Sequence, residues 1–144
     1  MAETLASADP DVTYARWIAR HERPARAADV PAVRPLVTFV VEGGPDVRPE
    51  WVERCLASIR SQTVTGWEIS GDLAGARGEY VALLAGDGEV AADAVDHVGR
   101  RLAADPGIGI LYSDEDRRDP ATRRRHAPFF KPDWSPEHFL TRMY

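Results

Sequence analysis

The run Leu36-Val37-Thr38-Phe39-Val40-Val41 constrains the fold more than any other stretch of the chain. Its apolar residues do not alternate with polar ones. That pattern predicts a strand buried on both faces, as in a parallel sheet. Helix-like and strand-like patterns then alternate along the chain, which predicts a parallel-type α/β layer structure. Residues 49–62 read as a helix. Pro49 suits a first turn, Glu50 and Glu53 suit the positive end, and Val52, Cys55, Leu56 and Ile59 form one stripe. Trp67-Glu68-Ile69 and the run from Tyr80 to Leu84 read as strands. Residues 91–104 read as a helix with Val95, Val98 and Leu102 inward and His97 outward, stopped by Asp105-Pro106-Gly107.

The ends read differently. Residues 1–10 are expected to be frayed. A helix is expected from Asp11 to Glu22, with Asp11 as its cap and Tyr14, Trp17, Ile18 and His21 on one face. Residues 25–35 form an Ala/Pro-rich connector. Near the other end Phe129 to Trp134 is extended, and Ser135-Pro136-Glu137 opens a last helix. The expected division is residues 1–35 as a helix and connector, and residues 36–144 as one partial domain.

Bulk properties narrow the function classes. A chain of 144 residues with 44% hydrophobic and 28% charged residues can bury a core and is not of the disordered class. A net charge of -5 argues against a general nucleic-acid binder, and the run Arg123-Arg124-Arg125 reads as a solvated loop. The one cysteine, Cys55, excludes an internal disulfide, fits a reducing cytoplasmic setting, and lies on an apolar stripe where packing is its role. The start lacks the apolar core of a secretory signal, and no transmembrane segment is expected.

Three places offer chemistry. Leu111-Tyr112-Ser113-Asp114-Glu115-Asp116 follows the apolar run Ile108-Gly109-Ile110. If that run is a buried strand, the acids stand at its exit, where ligands gather in open α/β sheets and a hard cation can bind. The alternative is a solvated acidic turn. Glu42-Gly43-Gly44-Pro45 leaves the first strand, either as a plain turn or as a close backbone approach to a ligand. Asp87 stands between two glycines, open to a ligand or metal, or simply a loop aspartate.

Several blocks, in this order, resemble the family 2 glycosyltransferases of GT-A fold: the Tyr14…Trp17…His21-Glu22 spacing, the first strand, Cys55 to Thr63, Gly66-Trp67-Glu68-Ile69, Ala76-Arg77-Gly78-Glu79-Tyr80, Leu111 to Asp116, and Phe130-Lys131-Pro132-Asp133-Trp134-Ser135-Pro136. The nearest branch is bacterial, O-antigen or rhamnosyltransferase-like. The resemblance implies a truncated GT-A, Rossmann-like sheet, mostly parallel and flanked by helices. It implies inverting transfer of a sugar from a nucleotide-diphosphate donor to a cell-surface polysaccharide acceptor. A divalent cation, magnesium or manganese, would neutralise the departing diphosphate. By this resemblance Glu42, Asp87 and Asp114 are expected at the donor, and Asp87 and Asp116 on the metal.

The chain also departs from the family. The family's Asp-x-Asp-Asp motif falls on Ala85-Gly86-Asp87-Gly88, where only Asp87 carries a carboxylate. A few dozen family residues are missing between Ile69 and Ala74. The acceptor half with its catalytic base would lie beyond Tyr144, so no catalytic residue is assigned. The expectation is an activity that is impaired or depends on a protein partner or second copy covering the truncated sheet. The alternative is an inactive remnant that binds or scaffolds.

Overall fold

The computed structural model describes residues 9–22 and 37–141. The expectations for the first eight residues, for the connector and for Leu36 lie outside the described residues. Contacts divide the described residues into two units, 37–109 and 9–22 with 110–141. The expected boundary at residue 35 divides the chain by sequence. By contacts, the N-terminal helix belongs with the C-terminal segment.

In the first unit, β1 (Val37–Glu42) is the central strand, with β2 (Trp67–Ser70) and β3 (Tyr80–Ala85) parallel to it on either side. Helices α2 (Pro49–Arg60) and α3 (Ala94–Ala104) pack on one face. Val37 and Phe39 from β1 meet Cys55 and Ile59 from α2, Val64 and Val95 there, with Trp67, Ile69, Ala82 and Leu84 around them. The stripe expected on α2 is thus the buried one, and Cys55 is fully buried with its thiol raised, first by burial and then by the Glu89 and Asp87 carboxylates. Gln62 ties the two helices. Its Oε1 accepts from Val95 N at 2.9 Å, an otherwise orphaned amide of the first turn of α3, while its Nε2 donates to Ala91 O at 2.6 Å. The outward placement of His97 also holds: it is exposed and lies 3.4 Å from Asp93.

The connection from β2 to β3 departs from a doubly wound sheet. With strand order β2-β1-β3, the crossover through α2 runs one way and the return over β1 runs the other. Right-handed crossovers therefore place α2 on one face and would place a second helix on the opposite face. No helix lies between β2 and β3; residues 71–79 make only bends and turns. This short link is held by polar bonds in place of a helix. Thr38 is fully buried, its Oγ1 donating to Glu68 Oε1 at 2.8 Å and accepting from Gly78 N at 2.7 Å. Arg77 donates its backbone N–H to Glu68 Oε1 at 2.8 Å and its guanidinium to Oε2 at 2.7 Å. The Arg77 and Thr38 bonds hold the Glu68 carboxyl below its usual range. Beyond the link, the face of β3 away from the helices stays open, with Val81 44% and Leu83 60% exposed.

In the second unit, α1 (Pro10–His21) accompanies an antiparallel pair, β4 (Glu115–Arg118) and β5 (Arg125–Phe129), and a short α4 (Pro136–Thr141). The cap of α1 is Asp9 rather than Asp11: Asp9 Oδ1 accepts from Asp11 N at 2.9 Å. The face read from the sequence is the one used. Tyr14 is buried, Trp17 stacks between Tyr14 and His21, and Phe130 packs against Trp17 at 5.0 Å. The buried strand expected at residues 108–110 is not formed. Ile110 is 61% and Leu111 38% exposed, and Glu115 and Asp116 lie within β4 instead of at a strand exit. Gly109 interrupts so short a run, and the carboxylates of residues 114–116 find partners further along the chain. Among the described residues, no helix is long and apolar enough to cross a membrane.

Candidate functional site

The carboxyl ends of β1 and β3 lie side by side, Glu42 in register with Ala85. Gly86 N donates to Glu42 O at 2.8 Å and closes the two strand exits together. That closeness requires glycine. A Cβ on Gly86 would meet Glu42 O and Val47 Cγ1 at 3.1 Å each and Val52 Cγ2 at 3.3 Å. Behind the exit of β1, Gly43, Gly44, Pro45, Val47, Val52 and Glu53 line an open depression. Asp87 follows, exposed, on a turn closed by Gly88 N donating to Ala85 O at 2.8 Å. The structure thus brings Glu42 and Asp87, two of the expected donor residues, to one strand-end rim. In an open α/β sheet this is where ligands bind.

The acids of residues 114–116 have other occupations. Asp114 Oδ1 accepts from Lys131 N at 2.8 Å, and Glu115 Oε2 pairs with Lys131 Nζ at 3.2 Å. Tyr112 donates to Pro132 O at 2.8 Å and its ring lies 6.3 Å from that of Trp134. The two most specific sequence blocks therefore pack on each other. Asp116 Oδ2 accepts from Tyr14 Oη at 2.6 Å and from Arg125 Nε. Arg125 also grips Glu22 through two bonds of 2.5 and 2.8 Å, and Arg124 pairs with Asp11 at 2.5 Å. Burial and the Asp116 hydrogen bond push the Tyr14 phenol up to about 12. The Glu22 and Asp116 carboxylates raise the already basic Arg125 further.

These bonds bear on a cation site. Among the described residues, no three His, Cys, Asp or Glu side chains group so as to hold a metal ion. Asp87 belongs to one unit and Asp116 to the other. A hard divalent ion takes several oxygen ligands, and Glu42, Glu53 and Asp87 do not converge into such a set. The described residues do not by themselves fit a resident cation.

Sequence reasoning missed the residues that tie each unit together: Thr38 and Arg77 in one, Arg125 in the other. Thr38 left a signal, being the polar member of an otherwise apolar run, and a buried hydroxyl requires a partner. Arg125 left none beyond its position in a run read as solvent-facing.

Fold and strand-end geometry together define a small α/β protein with a truncated Rossmann-like sheet. The chain is similar to the O-antigen biosynthesis protein RfbC of Myxococcus xanthus, with 29% identity over 170 residues. The match takes in 86% of this chain but only 13% of the relative, so the chain spans a small part of that protein. A 170-residue match exceeds the 144 residues of the chain, so the relative carries residues inside it that have no counterpart here. No protein-family model matches the chain, and no solved structure gives a significant match.

Proposed function

We propose that this chain is a shortened glycosyltransferase-like domain of the family 2, GT-A type, serving polysaccharide biosynthesis in a cytoplasmic setting. Its donor is a nucleotide-diphosphate sugar met at the carboxyl ends of β1 and β3, by the backbone after Glu42 and by Asp87. The observation that carries the reading is the match of 86% of the chain to an O-antigen biosynthesis protein. The parallel sheet with a glycine-flanked aspartate at the end of β3 supports it.

The same geometry argues that the chain alone turns over poorly. The acidic side chains at the strand ends and in the depression beside them are Glu42, Asp87 and Glu53. A diphosphate is repelled by them unless a magnesium or manganese ion arrives with it. Inverting transfer further needs a base for the acceptor hydroxyl, and no residue here is assigned that role. A protein partner or second copy would have to complete the site. A second reading, an inactive binding or scaffolding module, is favoured by the short link between β2 and β3 and by the internal engagement of Asp114, Glu115 and Asp116.

The test is release of nucleoside diphosphate from a panel of nucleotide-diphosphate sugars with manganese, alongside thermal-shift binding. The expected result is donor binding with no release above the blank by the chain alone. Rapid release by the chain alone overturns the dependence on a partner. No binding at donor concentrations of about 10 mM, where even a very weak site fills, overturns the whole reading.

A further inference from the structure

The depression behind the exit of β1 has apolar walls and a single charge. Pro45, Val47, Pro49 and Val52 give it its sides, and Glu53 is the one ionisable side chain that lines it. Pro49, Val52 and Glu53 stand at i, i+3 and i+4 of α2, so they share one helix face. Glu53 is exposed, and its carboxylate has no ion pair or hydrogen bond among the described residues. The same valines back the strand exits. Val47 Cγ1 and Val52 Cγ2 lie 3.1 and 3.3 Å from the point that a Cβ on Gly86 would occupy. The depression and the rim at Gly86 and Asp87 are therefore neighbours within one unit.

A nucleotide-diphosphate sugar has one part that suits such a place. Its sugar and diphosphate are covered with polar groups, which apolar walls leave without partners. Its base is flat and uncharged, with two apolar faces and a polar edge. An ionised carboxylate only accepts hydrogen bonds, and it binds with both oxygens only to an edge that offers two adjacent donors. Guanine presents N1–H and N2–H side by side. Uracil and thymine present one N–H between two carbonyl oxygens. Adenine and cytosine present an amino group beside a bare ring nitrogen. In each of these four the second carboxylate oxygen faces a lone pair, and that contact is lost.

We propose that Glu53 reads the base of the donor and selects guanine, so that the sugar arrives on guanosine diphosphate. The assignment rests on the proposed strand-end donor site. Pro45, Val47 and Val52 cover the ring, Glu53 accepts from N1–H and N2–H, and the diphosphate lies toward Gly86 and Asp87 with its cation. Glu53 sets which nucleotide enters and takes no part in the transfer.

Titration of the intact chain with GDP, UDP, dTDP, ADP and CDP, each with magnesium and followed by amide shifts in NMR, tests it. GDP should bind about tenfold tighter than any of the other four, the discrimination of one good bidentate contact. Glu53→Gln turns one acceptor oxygen into a donor and should bring GDP and UDP to within about threefold of each other. Glu53 is exposed on a helix and glutamine is an equally good helix former, so the fold should not change. Glu53→Ala serves as a second variant with the same expected loss of preference. Equal affinity for all five overturns the guanine assignment and leaves the donor site standing. So does a preference for any of the other four, or a GDP preference that survives both substitutions. Binding of none of them at about 10 mM overturns the donor reading together with this one.

Discussion

Thr38→Val removes one oxygen and puts a methyl group in its place. The side chain is fully buried and suits a strand in either form. What changes is the hydroxyl, which donates 2.8 Å to Glu68 and accepts 2.7 Å from Gly78 N. A hydrogen bond to a charged group contributes about 1.5–3 kcal/mol, and a buried donor left without a partner costs about 1–3 kcal/mol. Gly78 has the link on one side and open sheet on the other, so water can replace part of the second loss. Together these put the destabilisation at about 2–4 kcal/mol. With a urea slope of about 1–2 kcal/mol per molar for a domain of this size, the midpoint should fall by roughly 2 M. Thr38→Ser keeps the hydroxyl and should lose only about 1 kcal/mol for the missing methyl. Urea unfolding followed by circular dichroism reads all three proteins. A Thr38→Val midpoint equal to or above wild type would refute the view that this hydroxyl clamps the link to the sheet.

Gly86→Ala should destabilise by about 1–2 kcal/mol and loosen the rim, because the new Cβ meets the Glu42 carbonyl and the Val47 methyl at 3.1 Å; thermal unfolding checks it. Tyr14 is raised from 10.0 to about 12, so its contribution is intact below pH 10 and is lost as pH rises through 12. A Tyr14→Phe variant should show a flatter stability profile between those values, read by denaturation at stepped pH. The carboxyl of Glu68 is lowered, so its stabilising effect holds above the ordinary glutamate range and fades as pH falls below it; Glu68→Gln should remove that acid-side slope. Ala127 holds a φ of 48°, a left-handed conformation that glycine adopts freely. Ala127→Gly should therefore be neutral or stabilise by up to about 1 kcal/mol, whereas Ala103→Gly on the exposed side of α3 should cost about 1 kcal/mol.

Periodicity explains what was legible in the sequence. The stripe of Cys55 and Ile59, the inward Val95 and Leu102, and the apolar runs of β1 and β3 each depend on local spacing, and each stands where spacing puts it. The run Ile108-Gly109-Ile110 carried the same apolar signal but formed no strand. Whether such a run joins a sheet depends on a neighbour that sequence spacing does not reveal. The arginines near residue 125 looked solvent-facing because their partners, Glu22, Asp11 and Asp116, are far away or on another strand. From the sequence, the acid cluster of residues 114–116 reads as a donor and cation candidate, as a solvated turn, or as a framework motif kept from the resembled family. Its bonds to Lys131, Tyr14 and Arg125 give these acids a framework role, holding the second unit's segments to one another.

The proposed function requires the strand-end rim to meet a nucleotide diphosphate with help from a cation. Amide chemical-shift mapping by NMR, with a nucleoside diphosphate titrated in the presence and absence of manganese's diamagnetic substitute magnesium, tests that most directly. Magnesium-dependent shifts centred on Gly43, Gly44, Gly86, Asp87 and Gly88, with a dissociation constant of about 1 mM or weaker, are the expected result. Tight binding that ignores the cation, or shifts that avoid those residues altogether, would contradict it.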